Sequence, residues 1–456
     1  MTPARKVTLA LIAFDALAVV VSFNLVAWGR GLIEINQPII AALQLPVIIH
    51  FLGVYLIDGY SHRTDMLSVT YASLHVIAQS GVLLLTLLLT YVFIPTGFQL
   101  QSSRFVTAVS YLAIIPASIG YRRLLYLRIH AKDQQRYFLF LGNAASSFAF
   151  KTECQNCNMK QIVLAASHDT TENGTVPATT SHLPNFTEVE GYLEQYHGRI
   201  DAIVLRESSS ELPAPLAQRL IELNFSGVPT YTLELFHQVY WRKIPLYRLN
   251  QTWLFQEGFQ IAREPVFERL KRLSDIFFAI IGLLLFLPIF PILAFLIWVA
   301  DRGPVFFHQT RVGRNRVLFE AYKLRSMRVH HEGDDYTREG DERITWIGKF
   351  LRNTRLDEVP QLWNVLRGDM SLIGPRAEWV KLVQEYERQI PCYHFRHLVK
   401  PGITGWAQIN YPYGANLEDT MRKLEYDLYY IRFFSFVLDA SIVLKTIQVM
   451  LFGKGR

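Results

Sequence analysis

Residues 1–132 alternate long apolar runs with short polar turns. Four runs stand out, at Val7–Trp28, Ile39–Ile57, Leu74–Ile94 and Phe105–Ile119. A helix needs ~20 apolar residues to cross a bilayer, and each run approaches or exceeds that length. The fourth is the weakest, but its tail "YRRLLYLRIH" carries the aromatic and basic residues of an interfacial end. The pattern predicts an N-terminal four-helix transmembrane bundle over 1–132. A cleaved signal is not expected, because the first run is long enough to span and further spans follow it. Arg5 and Lys6 precede the first run, and Arg122, Arg123, Arg128 and Lys132 follow the fourth. The loops between runs carry few positive charges, so the positive-inside rule puts both ends of the block in the cytoplasm.

From residue 136 to about 240 the period changes. "RYFLFLGNAAS" reads as a buried strand ending in a glycine, and "DAIVLRE" (201–207) and "GVPTYTL" (227–233) as further strands. "PLAQRLIELNF" lies between the latter two with helical spacing. Strands alternating with helices predict a small, parallel, Rossmann-like α/β domain over 133–262. Its first turn has Gly142 but lacks the later glycines of a dinucleotide fingerprint. Without them the backbone cannot approach a pyrophosphate closely, so a structural or regulatory module is expected here.

The stretch 271–303, "KRLSDIFFAIIGLLLFLPIFPILAFLIWVADRG", is apolar enough to span. Pro288 and Pro291 sit at its middle, where proline removes a helix hydrogen bond and bends the chain. Both flanks are positive: Arg269, Lys271 and Arg272 before, Arg302, Arg311, Arg314 and Arg316 after. Two cytoplasmic flanks require the segment to enter and return on one face. A re-entrant helix over about 273–300, broken at Pro288, is therefore expected. The alternative is a kinked full span with the rest of the chain outside the cell. The last apolar stretch, "FFSFVLDASIVLKTIQVMLFGKGR", is interrupted by Asp439 and Lys445 and reads as an interfacial helix.

Composition agrees with a membrane protein that has soluble parts: half of the residues are hydrophobic and 19% are charged. A net charge of +7 suits anionic partners: lipid headgroups, phosphates or nucleic acid. Cys154 and Cys157 form a CxxC, but no second CxxC or nearby His pair completes a zinc site. They read as incidental cysteines of a reducing compartment.

The densest chemistry lies in "TRLDEVPQLWNVLRGDMSLIGPRAE", residues 354–378. Asp357 and Glu358 are neighbours, and neighbours on a helix point ~100° apart, which suits two separate tasks. Pro360 is tolerated only in a first turn and Gly368 is placed to end a helix, so a helix over 358–367 is expected with Asp357 at its N-terminus. There the dipole keeps an Asp ionised and also welcomes a phosphate. Arg352, Arg355 and Arg376 could bind that phosphate's oxygens. A carboxylate facing an arginine-held phosphoryl group suits a nucleophile that forms an aspartyl-phosphate type intermediate. The second acid would then hold Mg²⁺. The same residues also read as an N-cap with a dipole-favoured neighbour and solvated arginines, and spacing alone leaves both readings open.

Four ordered stretches over 266–456 resemble the monotopic phosphoglycosyl transferases, the bacterial sugar transferase family. They are "DIFFAIIGLLLFLPIFPILA", "GPVFFHQTRVGRNRVLFEAYKLRSM", "RITWIGKFLRNTRLDEVPQLWNVLRGDMSLIGPRAE" and "KPGITGWAQIN". The four spans and the α/β module resemble, by layout more than by motif, the large members that initiate exopolysaccharide, capsule or O-antigen repeat units. The resemblance implies a mixed α/β monotopic catalytic domain over 263–456, on the cytoplasmic face of a bacterial inner membrane. It implies transfer of a sugar-1-phosphate from a UDP-sugar to undecaprenyl phosphate, releasing UMP, in two steps. In that scheme Asp357 attacks the donor's β-phosphate, Glu358 binds Mg²⁺, Arg352 and Arg376 contact phosphate, and Lys323 of "YKLRSM" supports the site. Pro288 matches the family's re-entrant break. "GPRAE" has Ala377 where many members have a second proline, which leaves Arg376 in place. A hexose such as glucose or galactose is the default sugar; large members suggest a homodimer, and no nucleic-acid partner is expected. Two rivals stand beside this: a non-catalytic membrane scaffold, and a nucleotide-sugar dehydratase using the α/β module, which the missing glycines oppose.

Overall fold

The computed structural model describes residues 3–34, 37–40, 43–61, 64–92, 104–130, 136–157, 159–166, 189–196, 198–206, 213–246, 265–328, 341, 343–411 and 416–452. Four helices come first: α1 (Pro3–Gly29), α2 (Gln44–Leu56), α3 (Val69–Val92) and α4 (Arg104–His130). Within them Lys6–Gly29, Val69–Leu89 and Arg104–Ile129 are long and apolar enough to cross a membrane. The second expected run forms a helix of only 13 residues. Pro46 belongs in a first turn, so the helix starts at Gln44 and not at Ile39. The fourth run does the reverse: its basic tail continues as one helix to His130. Arg122, expected as a cytoplasmic flank, is instead fully buried and bonds Asp15 of α1 at 2.6 Å. Tyr60 and Ser118 donate to the same carboxylate at 2.8 and 3.0 Å. A charge amid apolar helices is tolerable only when paired in this way. The expected run end at Ile94 and the domain boundaries at 132–133 and 262–263 lie outside the described residues.

The middle of the chain is a parallel sheet with helices between its strands. Its elements are β1 (Tyr137–Leu141), α5 (Ala144–Asn156), β2 (Ile162–Ala166), α6 (Val189–Gln195), β3 (Ile200–Leu205), α7 (Ala214–Phe225), β4 (Thr230–Thr232) and the short α8 (Leu233–Phe236). The strand order is β2-β1-β3-β4. Strand β2 was not expected, although its sequence IVLAA is apolar throughout; it is an edge strand with only its last residue buried. Cys154 is buried, and burial pushes its thiol up to about 12. A thiol so protonated is inert, in keeping with an incidental role.

The remainder carries the bent pair α9 (Pro265–Phe286) and α10 (Phe290–Asp301), which meet at 64° with Pro288 in the break. A hairpin follows, β5 (Phe306–Val312) and β6 (Leu318–Leu324), then α11 (Trp346–Thr354) and α12 (Gln361–Arg367). Strand β7 (Ser371–Ile373) pairs in parallel with β8 (Gly402–Thr404), with α13 (Val380–Gln389) between them. The chain closes with α14 (Trp406–Asn410), α15 (Leu417–Arg432) and α16 (Phe436–Phe452). The charges that interrupt α16 have internal partners. Asp439 takes Lys271 of α9 at 2.6 Å, and Lys445 donates to Asn410 at 2.6 Å. Ser441 also meets Ser73 of α3 at 2.9 Å, so α16 joins the C-terminal part to the N-terminal helices.

The α/β module is tied to the same part. Lys243, buried, pairs with Glu153 of α5 and lies 3.4 Å from Glu425 of α15. The Trp406 indole donates to the Arg242 carbonyl at 2.8 Å.

Candidate active site

Asp357 and Glu358 do not lie on the expected helix. They sit in a separate 3₁₀ turn, Leu356–Glu358, and α12 starts only at Gln361 with Pro360 as its N-cap residue. Two local features cause this. Arg355 takes a left-handed conformation, φ 59°, which ends α11 and turns the corner. Pro360 has no N–H to extend a hydrogen-bonded ladder backward into the turn. The far end is as expected: Gly368, φ 95°, ends α12 with its N–H on the Asn364 and Val365 carbonyls.

The acids are fixed by three neighbouring elements. Asn364, fully buried, accepts from Tyr322 N at 3.1 Å and donates to the Glu320 carbonyl at 2.7 Å. This knits α12 to the strand that carries Lys323. Arg272 of α9 donates to the Val365 and Leu366 carbonyls at the end of α12. Asp275 accepts from Leu372 N at 3.0 Å. On the other side, α11 lies so close to the end of the hairpin that a Cβ at Gly348 would sit 1.9 Å from the Ser326 carbonyl. Arg352, one turn further on, donates to Ser326 Oγ at 3.0 Å.

The two carboxylates have opposite surroundings. Glu358 Oε1 takes Lys323 Nζ at 2.8 Å and Arg376 Nη2 at 3.3 Å. Burial would raise its pKa, but Arg376 and Lys323 outweigh burial and hold it well below the usual carboxylate range. Asp357 is also buried, yet its Oδ1 has no hydrogen-bond partner among the described residues. Burial pushes its pKa up, with Glu358 adding to the shift and Lys323, Arg352 and Arg355 opposing it. Desolvation lowers the Lys323 pKa, against the pull of Glu358.

Arg376 reaches Glu358 because β7 and β8 approach unusually closely. A Cβ on Gly402 would lie 2.1 Å from Gly374 N, and one on Gly374 would lie 2.4 Å from the Lys400 carbonyl. Only glycine fits both positions. Together Arg311, Lys323, Gln361, Arg376, Ala377 and Gly402 line a narrow cleft beside the acids. The structure thus brings Lys323, Arg376 and Glu358 into contact and leaves Arg352 and Arg355 acting on Asp357 through their charge. Asn364, Gly374 and Gly402 were not singled out by residue type, and Arg311 was named only as a flanking charge, although all four lie in the quoted stretches.

Among the described residues no group of three or more His, Cys, Asp or Glu could hold a metal by itself. Two adjacent carboxylates do fit Mg²⁺, which commonly takes one or two and completes its shell with substrate phosphates and water.

Residues 266–453 match the family model described as "Bacterial sugar transferase". The chain is 39% identical over 259 residues to a UDP-N-acetylgalactosamine-undecaprenyl-phosphate N-acetylgalactosaminephosphotransferase of Aeromonas hydrophila, covering 56% of this chain and 60% of the relative. It is 43% identical over 182 residues to a UDP-glucose:undecaprenyl-phosphate glucose-1-phosphate transferase of Escherichia coli (strain K12), covering 39% of each. It is 41% identical over 195 residues to the exopolysaccharide production protein PSS of Rhizobium leguminosarum bv. phaseoli, covering 41% of this chain and 98% of the relative. The chain therefore spans 39% to 60% of the first two relatives' length and nearly all of the third.

Proposed function

The chain belongs to the bacterial sugar transferase family, and from that premise we propose that it moves a sugar-1-phosphate from a UDP-sugar to undecaprenyl phosphate, releasing UMP. The observation that carries this is the split between the acids. Glu358 is neutralised by Lys323 and Arg376, whereas Asp357 is buried with an unmet oxygen. Groups whose environments are pushed apart in this way take different roles. An ionised, poorly satisfied carboxylate next to fixed cations is an activated nucleophile.

In the first step an Asp357 oxygen forms a bond to the donor's β-phosphorus, and the bond from that phosphorus to the bridging oxygen breaks. UMP leaves with the bridging oxygen and its electron pair. In the second step a phosphate oxygen of undecaprenyl phosphate attacks the same phosphorus and Asp357 departs as a carboxylate. Lys323, Arg352 and Arg376 hold the diphosphate and offset its charge, and Arg355 adds to the field. Glu358 would hold Mg²⁺, which would supply positive charge to the phosphates.

The same proposal covers topology. Both ends of the α9–α10 pair are bonded to one folded domain: Arg272 near one end to α12, and Asp301 at the other to Arg325, at 3.5 Å. A span would separate those ends by ~30 Å of hydrocarbon. The bent pair is therefore read as re-entrant, broken at Pro288. The four N-terminal helices are read as the membrane block. The catalytic domain (263–456) then faces the cytoplasm at the inner membrane, and the α/β module (133–262) is regulatory or structural. A homodimer is the proposed assembly. The relatives' names include N-acetylgalactosamine, glucose and galactose, so the donor is put as a UDP-sugar of one of these.

The test is UMP release by nanodisc-held protein given undecaprenyl phosphate, Mg²⁺ and a panel of these UDP-sugars, with Asp357→Asn alongside. Release from one donor that disappears in the variant supports the reading. Release that persists in the variant removes Asp357 as nucleophile, and no release from any donor favours a scaffold.

A further inference from the structure

The carbonyls of three consecutive residues, Pro375, Arg376 and Ala377, each accept a hydrogen bond from outside their own segment. Pro375 O accepts from Gly402 N at 2.9 Å. Arg376 O accepts from Arg396 Nη2 at 2.9 Å. Ala377 O accepts from the Arg311 guanidinium. Residues that bridge strands at the surface ordinarily meet such needs with water. Here two of the three donors are charged side chains.

Arg396 is the more telling of the two. It is buried; Nη1 donates to Tyr393 Oη at 2.5 Å and lies 3.9 Å from Glu378 Oε1, and Nη2 donates to Asp427 Oδ2 of α15 at 2.9 Å. A buried ion pair of this kind is a poor source of net stability, because desolvation offsets most of its attraction. It is an effective way to fix a position, since the planar fork admits few geometries. What it fixes is the backbone of the residue whose side chain reaches Glu358 at 3.3 Å.

We propose that Arg396, anchored by Tyr393 and Asp427, is a positioning residue that acts through Arg376 and holds its guanidinium over the site. This rests on the reading of Arg376 as a contact to the donor's phosphates. Placement errors of about 1 Å in such a site cost on the order of 10²-fold in rate, so a rigid mount for one phosphate-binding arginine has a direct kinetic consequence.

The test is a double-mutant cycle on the full chain in nanodiscs. Arg396→Lys keeps the charge and loses the fork; it is measured alone and with Arg376→Ala, by UMP release against UDP-sugar concentration. Hydrogen exchange over 374–377 and at Gly402 is followed in parallel. The expected result is a fall of about 10-fold or more in kcat/KM for Arg396→Lys. That fall disappears in the Arg376→Ala background, and exchange over 374–377 speeds up. An equal loss in both backgrounds overturns the proposal. If Arg396→Lys does not fold, Asp427→Asn replaces it; the guanidinium stays and its anchor goes, and the same cycle applies. If the wild type releases no UMP, the reading of the site fails, and the exchange arm alone judges the mount: unchanged exchange over 374–377 overturns it.

Discussion

Lys323 Nζ and Glu358 Oε1 form a partly buried ion pair at 2.8 Å, one residue away from a buried Asp357 oxygen that has no hydrogen-bond partner among the described residues. Two neighbours in sequence thus have very different free energies as anions. The difference comes from the hairpin: β6 delivers Lys323 to Glu358, and Asn364 keeps β6 and α12 in register. The acid left unsatisfied is the one the proposed chemistry consumes.

Asp357→Asn should abolish UMP release, by more than about 10³-fold, because no other group can form the covalent intermediate. Its effect on stability should have the opposite sign. A carboxyl with a raised folded pKa costs stability wherever it is ionised, so the neutral amide relieves that cost. The variant is expected to melt at or above the wild-type temperature near neutral pH, with the gap closing as pH falls from the raised folded pKa to the ordinary aspartate value. Thermal unfolding at several pH values checks this; a lower melting temperature at neutral pH counts against the unsatisfied-carboxylate picture.

The pH dependence of kcat/KM follows from the same shift. Asp357 must be ionised to attack, and burial raises its pKa, so the acid limb should fall at higher pH than an ordinary aspartate gives. Lys323 opposes that rise. Lys323→Met removes the opposition, and the limb should move to still higher pH. A limb that stays put or moves lower shows that another group controls it.

Glu358→Gln should behave differently from Asp357→Asn. It leaves Lys323 and Arg376 facing a neutral amide, and a partly buried cation without its counter-charge is costly. Lower thermal stability is expected together with weakened Mg²⁺ dependence of turnover. A metal titration identical to wild type would remove Glu358 as the ligand.

Much of this arrangement was legible from periodicity and motif words. The apolar runs marked α1, α3 and α4, Pro288 marked the bend, and Gly368 marked the end of α12. What was not legible depended on contacts distant in sequence. Pairing of Arg122 with Asp15 turns an apparent cytoplasmic flank into a buried group, across 107 positions. The helix predicted over 358–367 failed at its start because Arg355 adopts a left-handed corner, which no residue-type rule assigns to arginine. Glycines 374 and 402 were visible as letters, but their need to be glycine arises only where β7 meets β8.

That meeting gives a packing prediction. Gly402→Ala places a Cβ 2.1 Å from Gly374 N, a backbone atom that cannot swing away. The strands must part, at a cost of roughly 1–3 kcal/mol. Arg376 should lose its place, so the loss of activity should exceed what the lost stability explains at the assay temperature. Turnover at a temperature where the variant is still folded checks this; full turnover there would mean that Arg376 does not depend on the close approach.

Topology is tested by tags at residue 265 and at the C-terminus. If α9 and α10 enter and leave on one face, both tags report the cytoplasm. If the pair is one kinked span, the C-terminal tag reports the opposite side from residue 265. The bonds of Arg272 to α12 and of Asp301 to Arg325 tie both ends to one domain, which favours the first outcome. Moving the break should then matter: Pro288→Ala removes the residue that cannot complete a helical ladder, and a straighter helix is drawn toward spanning. The expected result is a mixed population in which part of the C-terminal tag becomes external, with UMP release falling in proportion. A variant whose C-terminus stays wholly cytoplasmic with full activity would show that Pro291 and the bonds at the two ends hold the bend without Pro288.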